Sequence, residues 1–137
     1  MIRRILAIAN PRDEARLRQS CPALDAVILE AELGTFSALF SDLEDTLEHA
    51  GGLGLAAPQI GSRLRAVIVT ERVEDGTEIW HRLIDPKIVG HGTKRLSTRE
   101  TCLSIPDTEY PVRRWWKVKV AAFDRDGKLI RLKAVGS

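Results

Sequence analysis

The sequence predicts an α+β domain in which one amphipathic helix is followed by mostly antiparallel strands. Three observations lead to this prediction. Apolar residues recur at helical spacing after Thr35, several later segments alternate between apolar and polar residues, and Asp-Gly turns separate some of those segments. The chain of 137 residues is long enough for one hydrophobic core, so we expect a single domain over residues 1–137.

The helix is predicted from Thr35, a suitable N-cap, to a stop at Gly51 and Gly52. His49 lies in the last predicted turn, where a cation suits the helix dipole. Residues 12–33 show only a weak pattern. The apolar face that we expect to pack on a sheet consists of Phe36, Leu39, Phe40, Leu43 and Leu47.

The strands are predicted from short apolar or alternating segments between turn residues. Hairpin-type turns are expected at 74–77, which contains Asp-Gly, and at 124–127, which ends in Asp-Gly. Asp85 and Pro86 are expected to end the second strand. The predicted strands are 64–70, 79–84, 115–123 and 129–132.

Composition and charge exclude several classes of protein. Hydrophobic residues make up 44% of the chain and charged residues 29%, as in an ordinary soluble domain. The formal net charge of +2 indicates neither a specific nucleic acid nor a membrane as partner. The N-terminus lacks the apolar stretch of a signal peptide, so we expect a cytoplasmic protein whose two cysteines, Cys21 and Cys102, remain reduced.

The stretch 51–61 contains four glycines, two alanines and a proline, so its backbone is open to close approach. It does not fit the dinucleotide fingerprint, because Ala57 and Pro58 stand where the third glycine would open a helix. It also lacks the Gly-Lys-Ser/Thr of a phosphate-binding loop. From the residues alone, two interpretations stay open: a helix C-cap followed by a tight turn, or a loop that contacts a ligand.

Two segments resemble signature motifs of one enzyme family. They are Gly52-Leu53-Gly54-Leu55-Ala56-Ala57-Pro58-Gln59 and Glu100-Thr101-Cys102-Leu103-Ser104. Both are similar to motifs of the peptide deformylases, which use a metal-activated water to remove the formyl group from formyl-methionyl nascent chains. In the second motif Thr101 replaces the glycine usual in the family, which adds a Cβ to the cleft.

The family's third motif, a helical His-Glu-x-x-x-His with two metal ligands and the general base, does not occur in this sequence. The resemblance therefore implies a deformylase-like domain that is C-terminally truncated and lacks the metal-binding helix. None of the three histidines, His49, His81 and His91, has a partner at the spacing that would replace that motif. The sheet face left open by the missing helix is expected to promote self-association.

The resemblance also implies roles for individual residues. Cys102 would be a ligand of a divalent Fe or Zn ion in a completed site, and without completion no cofactor is expected. The Gln59 side chain and the Leu103 N–H would stabilise negative charge on the formyl oxygen. Glu100 is expected to be a structural partner of a basic residue such as Arg114. The residues expected to contact the substrate as an added strand are Gly52, Leu53, Gly54 and Thr101.

Three hypotheses about function follow. The first is a deformylase homologue that is inactive as this chain alone, because the two His ligands and the Glu base are missing. The second is a non-catalytic binder of extended N-terminal peptides. The third is one part of a split enzyme whose metal helix comes from another chain. In each case the expected partner is a formylated peptide N-terminus, and the link to nascent chains implies association with the ribosome.

Overall fold

The computed structural model describes residues 1–136 and confirms the α+β class. Two helices, α1 (Pro11–Leu17) and α2 (Ala26–Ala50), precede all the strands. A short 3-10 helix, Ala57–Ile60, follows the first strand. The strands are β1 (Gly54–Ala56), β2 (Ala66–Arg72), β3 (Glu78–His91), β4 (Arg95–Cys102), β5 (Ile105–Trp115), β6 (Lys117–Phe123) and β7 (Leu129–Val135).

The strands form two antiparallel sheets. Five of them pair in the order β1-β2-β3-β6-β7, and β4 pairs with β5 in a separate hairpin. The short strand β1 therefore lies at one edge of the larger sheet and pairs only with β2, placing Gly54 opposite Val69. The predicted turns are confirmed between β2 and β3 and between β6 and β7. Gly76 (φ 86°) and Gly127 (φ 80°) occupy their left-handed positions.

The N-cap of helix α2 lies ten residues earlier than the sequence predicts, so the prediction of Thr35 as its N-cap is wrong. Asp25 is the N-cap, and its side chain accepts a hydrogen bond of 2.8 Å from the Ile28 N–H. The buried stripe continues N-terminally through Leu29, and Leu33 packs near Gly127. Tertiary burial therefore outweighs the low helix propensity of the residues around 34 and 35. The predicted end is confirmed, because Gly51 closes the helix with φ 79°.

The expectation of a single helix is also wrong, because α1 precedes α2. The Asn10 side chain caps α1 by accepting hydrogen bonds from the N–H groups of Arg12 and Asp13. Pro11 suits the first helical position, where no N–H is needed. Asp13 is buried and forms a two-point ion pair with Arg4, which anchors this short helix to the N-terminal segment.

Two strand boundaries differ from the sequence prediction. Strand β3 does not end at Asp85 and Pro86 but continues to His91, with register shifts that absorb the irregularity. Asp85 takes a positive φ of 50° at this point. The segment predicted as one strand, 115–123, is divided at Trp116, where the chain passes from the hairpin to the larger sheet. Its N–H donates to the carbonyl of Lys94 rather than to a strand partner.

The core lies between α2 and one face of the larger sheet. The side chains of Phe36, Phe40 and Leu43 are fully buried there. From the sheet, Ile68 and Ile84 are equally buried in the same cluster. The predicted packing of the amphipathic helix on a sheet is thus confirmed, and it places the end of α2 directly before the glycine-rich loop.

The other face of the larger sheet carries an apolar groove of about 550 Å³. Val69 alternates with the buried Ile68 and therefore points to this face, where it is 39% exposed. Val118, Val120 and Leu132 also line the groove. Among residues 1–136, neither helix is long and apolar enough to cross a membrane.

Candidate peptide-binding groove

The two sequence motifs lie on opposite sides of one groove of about 930 Å³. One side is the loop after α2 with the edge strand β1. The other side is β4 with the turn that follows it. The residues from the motifs that line the groove are Gly52, Leu53, Gly54, Gln59, Glu100, Thr101, Cys102 and Leu103. All seven residues expected from the resemblance to act in catalysis, substrate binding or metal binding therefore line one cavity.

The Gln59 amide is fixed in one orientation by its neighbours. Its Oε1 accepts a hydrogen bond of 2.9 Å from the Ala56 N–H. Its Nε2 then donates to Ser104 Oγ at 3.2 Å and lies 3.6 Å from Cys102 Sγ. An amide whose oxygen is occupied presents only its N–H groups to the groove. Gln59 is thus set up as a donor beside the cysteine.

The glycines of the first motif allow close contact between the two sides. A Cβ at Gly52 would lie 2.9 Å from a methyl carbon of Leu103, so the motifs touch at this point. A Cβ at Gly54 would lie 3.1 Å from the Ile68 carbonyl oxygen, which is backbone and cannot move aside easily. Both positions therefore favour glycine because of contacts in this fold.

Leu53, between these glycines, is presented to solvent. Its side chain is 79% exposed, while its carbonyl accepts hydrogen bonds from both the N–H and the Oγ1 of Thr70. The backbone at Leu53 is therefore fixed although the side chain is free. Across the groove Thr101 is exposed, whereas Leu103 is half-buried against the core.

Cys102 is half-buried and is a free thiol, as is Cys21. Within residues 1–136 no group of three or more His, Cys, Asp or Glu side chains is arranged to hold a metal ion. His81 pairs with Glu71 at 2.8 Å, and His91 stacks on Trp115. The donors around Cys102 therefore do not fit a catalytic Fe or Zn site by themselves, since such a site takes at least three protein ligands.

The N-terminal segment joins the two motifs, a feature that the sequence analysis did not identify. The Leu6 N–H donates to the Gln59 carbonyl at 2.7 Å, and the Ile8 N–H donates to the Ser104 carbonyl at 2.9 Å. Ser104 itself is buried. The N-terminal segment makes these contacts without forming a strand.

The predicted structural role of Glu100 is confirmed. Its carboxylate accepts two hydrogen bonds from Arg114, at 2.8 and 2.6 Å, and one from the Thr98 hydroxyl at 2.6 Å. The Arg114 guanidinium, followed by the Thr98 hydroxyl, lowers the pKa of Glu100 to about 2. This carboxylate fastens β4 to β5 at the wall of the groove and is a poor base near neutral pH.

We expect Glu100→Gln to destabilise the fold at pH 7 by about 1 kcal/mol, the upper range for a partly exposed ion pair. Because the pKa of Glu100 falls from its ordinary value of 4.5 to about 2 on folding, its charge stabilises the folded state above pH 4.5. That contribution is lost as the pH falls through about 2. Urea unfolding of the original chain and of Glu100→Gln should therefore show a difference in unfolding free energy that shrinks as the pH is lowered between these values.

A matched control is Glu109→Gln, because Glu109 pairs with Arg99 on the same hairpin but both side chains are more than half exposed. We expect a smaller effect from this change. If the loss of unfolding free energy in Glu100→Gln stayed constant down to pH 2, the charge of Glu100 would not be the source of the stabilisation.

Comparison with known proteins agrees with the two motifs. Residues 2–137 match the family model described as polypeptide deformylase. The chain is 42% identical over 98 residues to a peptide deformylase of Mesorhizobium japonicum, covering 72% of this chain and 56% of that protein. It is 41% identical over 96 residues to the enzyme of Brucella suis, covering 70% and 55%. The chain thus spans little more than half the length of these relatives.

The fold is similar to that of solved deformylases. A crystal structure of a peptide deformylase from Legionella pneumophila superposes with a TM-score of 0.81 at 33% identity. The superposition covers 99% of this chain and 73% of that one.

Proposed function

Because the chain belongs to the polypeptide deformylase family, we propose that residues 1–136 form the peptide-binding part of a deformylase site. The ligand is the formylated N-terminus of a polypeptide, and it lies extended in the groove between β1 and β4. The observation that carries this proposal is the Gln59 amide, whose N–H groups are fixed beside Cys102 in that groove.

Backbone groups at the sides of the groove support an extended ligand. Strand β1 pairs only with β2, and β4 pairs only with β5. An edge strand presents unpaired N–H and C=O groups, to which an extended peptide can add as another strand. Such recognition depends on the ligand's main chain, so it tolerates many side-chain sequences. The glycines at 52 and 54 allow the close contacts with Leu103 and Ile68 that hold this side of the groove in place.

The first residue of the ligand would then lie near Gln59. The Gln59 N–H that faces Cys102, and not the one bound to Ser104 Oγ, would donate to the formyl oxygen, in the direction that stabilises negative charge developing there. The Leu103 N–H is proposed as a second donor, because Leu103 follows Cys102 on the wall of the groove. Thr101 and the exposed Leu53 side chain would contact the ligand on either side.

We propose that this chain alone binds formylated peptides but does not hydrolyse them. Hydrolysis of a formamide needs an activated water and a base. The groove offers one thiol, and of the two carboxylates that line it, Glu100 and Asp107, the first is already bound to Arg114. An Fe or Zn ion would take Cys102 as one ligand and would require further ligands from outside residues 1–136. A chain that supplies them would make this the first part of a split enzyme.

The test uses the purified 137-residue chain with formyl-Met-Ala-Ser and with unformylated Met-Ala-Ser. We expect calorimetric binding that prefers the formylated peptide and persists in a chelator, with no formate released after Fe(II) or Co(II) is added. Absence of binding would overturn the proposal of a peptide site. Formate release, together with a thiolate-to-Co(II) absorption band lost in Cys102→Ser, would show instead that the chain completes its own metal site.

We also propose that a second copy covers the apolar groove on the sheet face opposite α2. This face exposes 39% of Val69 and includes Val118, Val120 and Leu132, so covering it would remove apolar surface from water. Sedimentation velocity tests this, because a sedimentation coefficient that stays constant with rising concentration would contradict it.

Location in the cytoplasm and association with the ribosome stay predictions.

A further inference from the structure

Charge is segregated along this chain, although the net charge is only +2. Residues 1–78 contain 13 acidic and 8 basic side chains, whereas residues 79–137 contain 6 acidic and 13 basic ones. All six lysines lie in the second part. Such asymmetry between two parts of one chain is typical of proteins that bind a polyanion.

Four of these cations share one face of the sheet at its β7 edge. Lys117 and Lys119 lie two residues apart on β6 and therefore on the same face. Lys119 lies directly opposite Lys133 on β7. Arg131 lies two residues from Lys133 and therefore on the same face. We call these four residues, all of them exposed, the cationic strip. Neighbours along a strand are about 6.7 Å apart and neighbours across strands about 5 Å, so the charges are closely spaced.

The cationic strip has no carboxylate within ion-pair distance among residues 1–136. Within residues 1–136, none of its four members forms an ion pair, although eight other basic side chains do. Like charges directly opposite each other on paired strands destabilise a sheet by about 0.2–1 kcal/mol. The aliphatic part of the Lys119 side chain also lies beside Gly90 of β3, its partner in the sheet, and Gly90 has no side chain on this face. An anion bound between these cations would offset their repulsion.

We propose that the cationic strip binds the phosphate backbone of a single-stranded nucleic acid. A regular array of cations a few ångströms apart matches the regular charge of a polynucleotide, and a single strand can follow a flat sheet face. Binding is not specific to base sequence. Of the two tryptophans that precede Lys117, Trp115 is already stacked with His91 at 3.7 Å and lies under Arg95 at 4.0 Å, and Trp116 lies under Lys94 at 4.9 Å.

A membrane surface fits this face less well. The other strand residues on this face include the small Ala121 and Gly90, and its exposed large apolar side chains, Leu129 at 58% and Val135 at 63%, lie at the two ends of β7. Stable binding to a bilayer combines basic residues with several apolar side chains that enter it. Although net charge alone indicates no nucleic-acid partner, the segregated charges favour one.

The experiment is fluorescence anisotropy of labelled oligouridylate and oligothymidylate with the purified chain at increasing salt. Four phosphate contacts predict that log Kobs falls with log salt with a slope of about −3, since each contact to a single strand contributes about 0.7. Lys119→Thr combined with Lys133→Thr should bring the slope to about −1.4. Threonine keeps β propensity and pairs favourably across strands, so this variant should melt no lower than the original chain.

The matched control is Arg12→Ala combined with Arg72→Thr, which removes the same charge from exposed positions outside the strip. It should leave the salt slope unchanged. Equal losses in both double variants would overturn the proposal, because binding would then follow total charge. Absence of binding to both oligonucleotides, or salt-dependent binding only to phosphatidylserine vesicles, would overturn it as well. Binding to one oligonucleotide alone still supports it, because both carry the same phosphate charge.

Discussion

Phe40→Ala is expected to lower the free energy of unfolding by about 3–5 kcal/mol. Phe40 is fully buried between α2 and the sheet, where the core cluster includes Ile68 and Ile84. Its removal leaves a cavity in addition to the lost transfer free energy. A domain of this kind has a total stability of only about 5–15 kcal/mol. Urea unfolding monitored by circular dichroism should therefore show a much lower midpoint, and the variant should be partly unfolded at physiological temperature.

Val27→Ala is the matched control, because Val27 lies on the same helix but is 78% exposed. Its unfolding free energy should change by less than about 0.5 kcal/mol. A loss below about 1 kcal/mol for Phe40→Ala would contradict the packing of α2 on the sheet.

Gln59→Leu is expected to abolish measurable binding of formyl-Met-Ala-Ser. The change removes the donors beside Cys102 and also leaves the Ala56 N–H without the acceptor that it has now. An unsatisfied buried donor costs about 1–3 kcal/mol, so a loss of stability should accompany the loss of binding. Calorimetry of the peptide and urea unfolding of the same sample measure the two effects separately.

Gln59→Glu separates the two effects. A carboxylate oxygen can still accept from the Ala56 N–H, so the fold should be nearly as stable as before. The donors are lost, and a negative charge replaces them where the formyl oxygen would lie. We expect binding to fall at least as far as in Gln59→Leu although stability is retained. Full peptide affinity in Gln59→Glu would contradict a donor role for this amide.

The elements that the sequence predicts correctly are those with a local physical cause. The stripe from Phe36 to Leu47 has helical spacing, and the Asp-Gly turns need left-handed glycines, so both are visible in short windows. The expected pair between Glu100 and a basic residue such as Arg114 is also present. Resemblance to known motifs, rather than spacing, identified the residues that line the groove.

The sequence prediction failed where distant contacts decide the structure. The first turns of α2 are stable because Leu29 is buried and Leu33 meets the turn at Gly127, a contact between residues far apart in the chain. Strand β3 continues past Asp85 and Pro86 because the neighbouring strands accept a shift in register there. The cationic strip likewise depends on the pairing of β6 with β7, which no short window reveals.

The two hydrogen bonds that join Leu6 to Gln59 and Ile8 to Ser104 have a consequence for folding. They link residues far apart in the chain, and contacts of this kind form late because a long loop must close first. The groove can therefore reach its final geometry only when three distant parts of the chain have come together. In native-state hydrogen exchange, the amides of Leu6 and Ile8 would report the opening of the groove directly, although neither residue lines it.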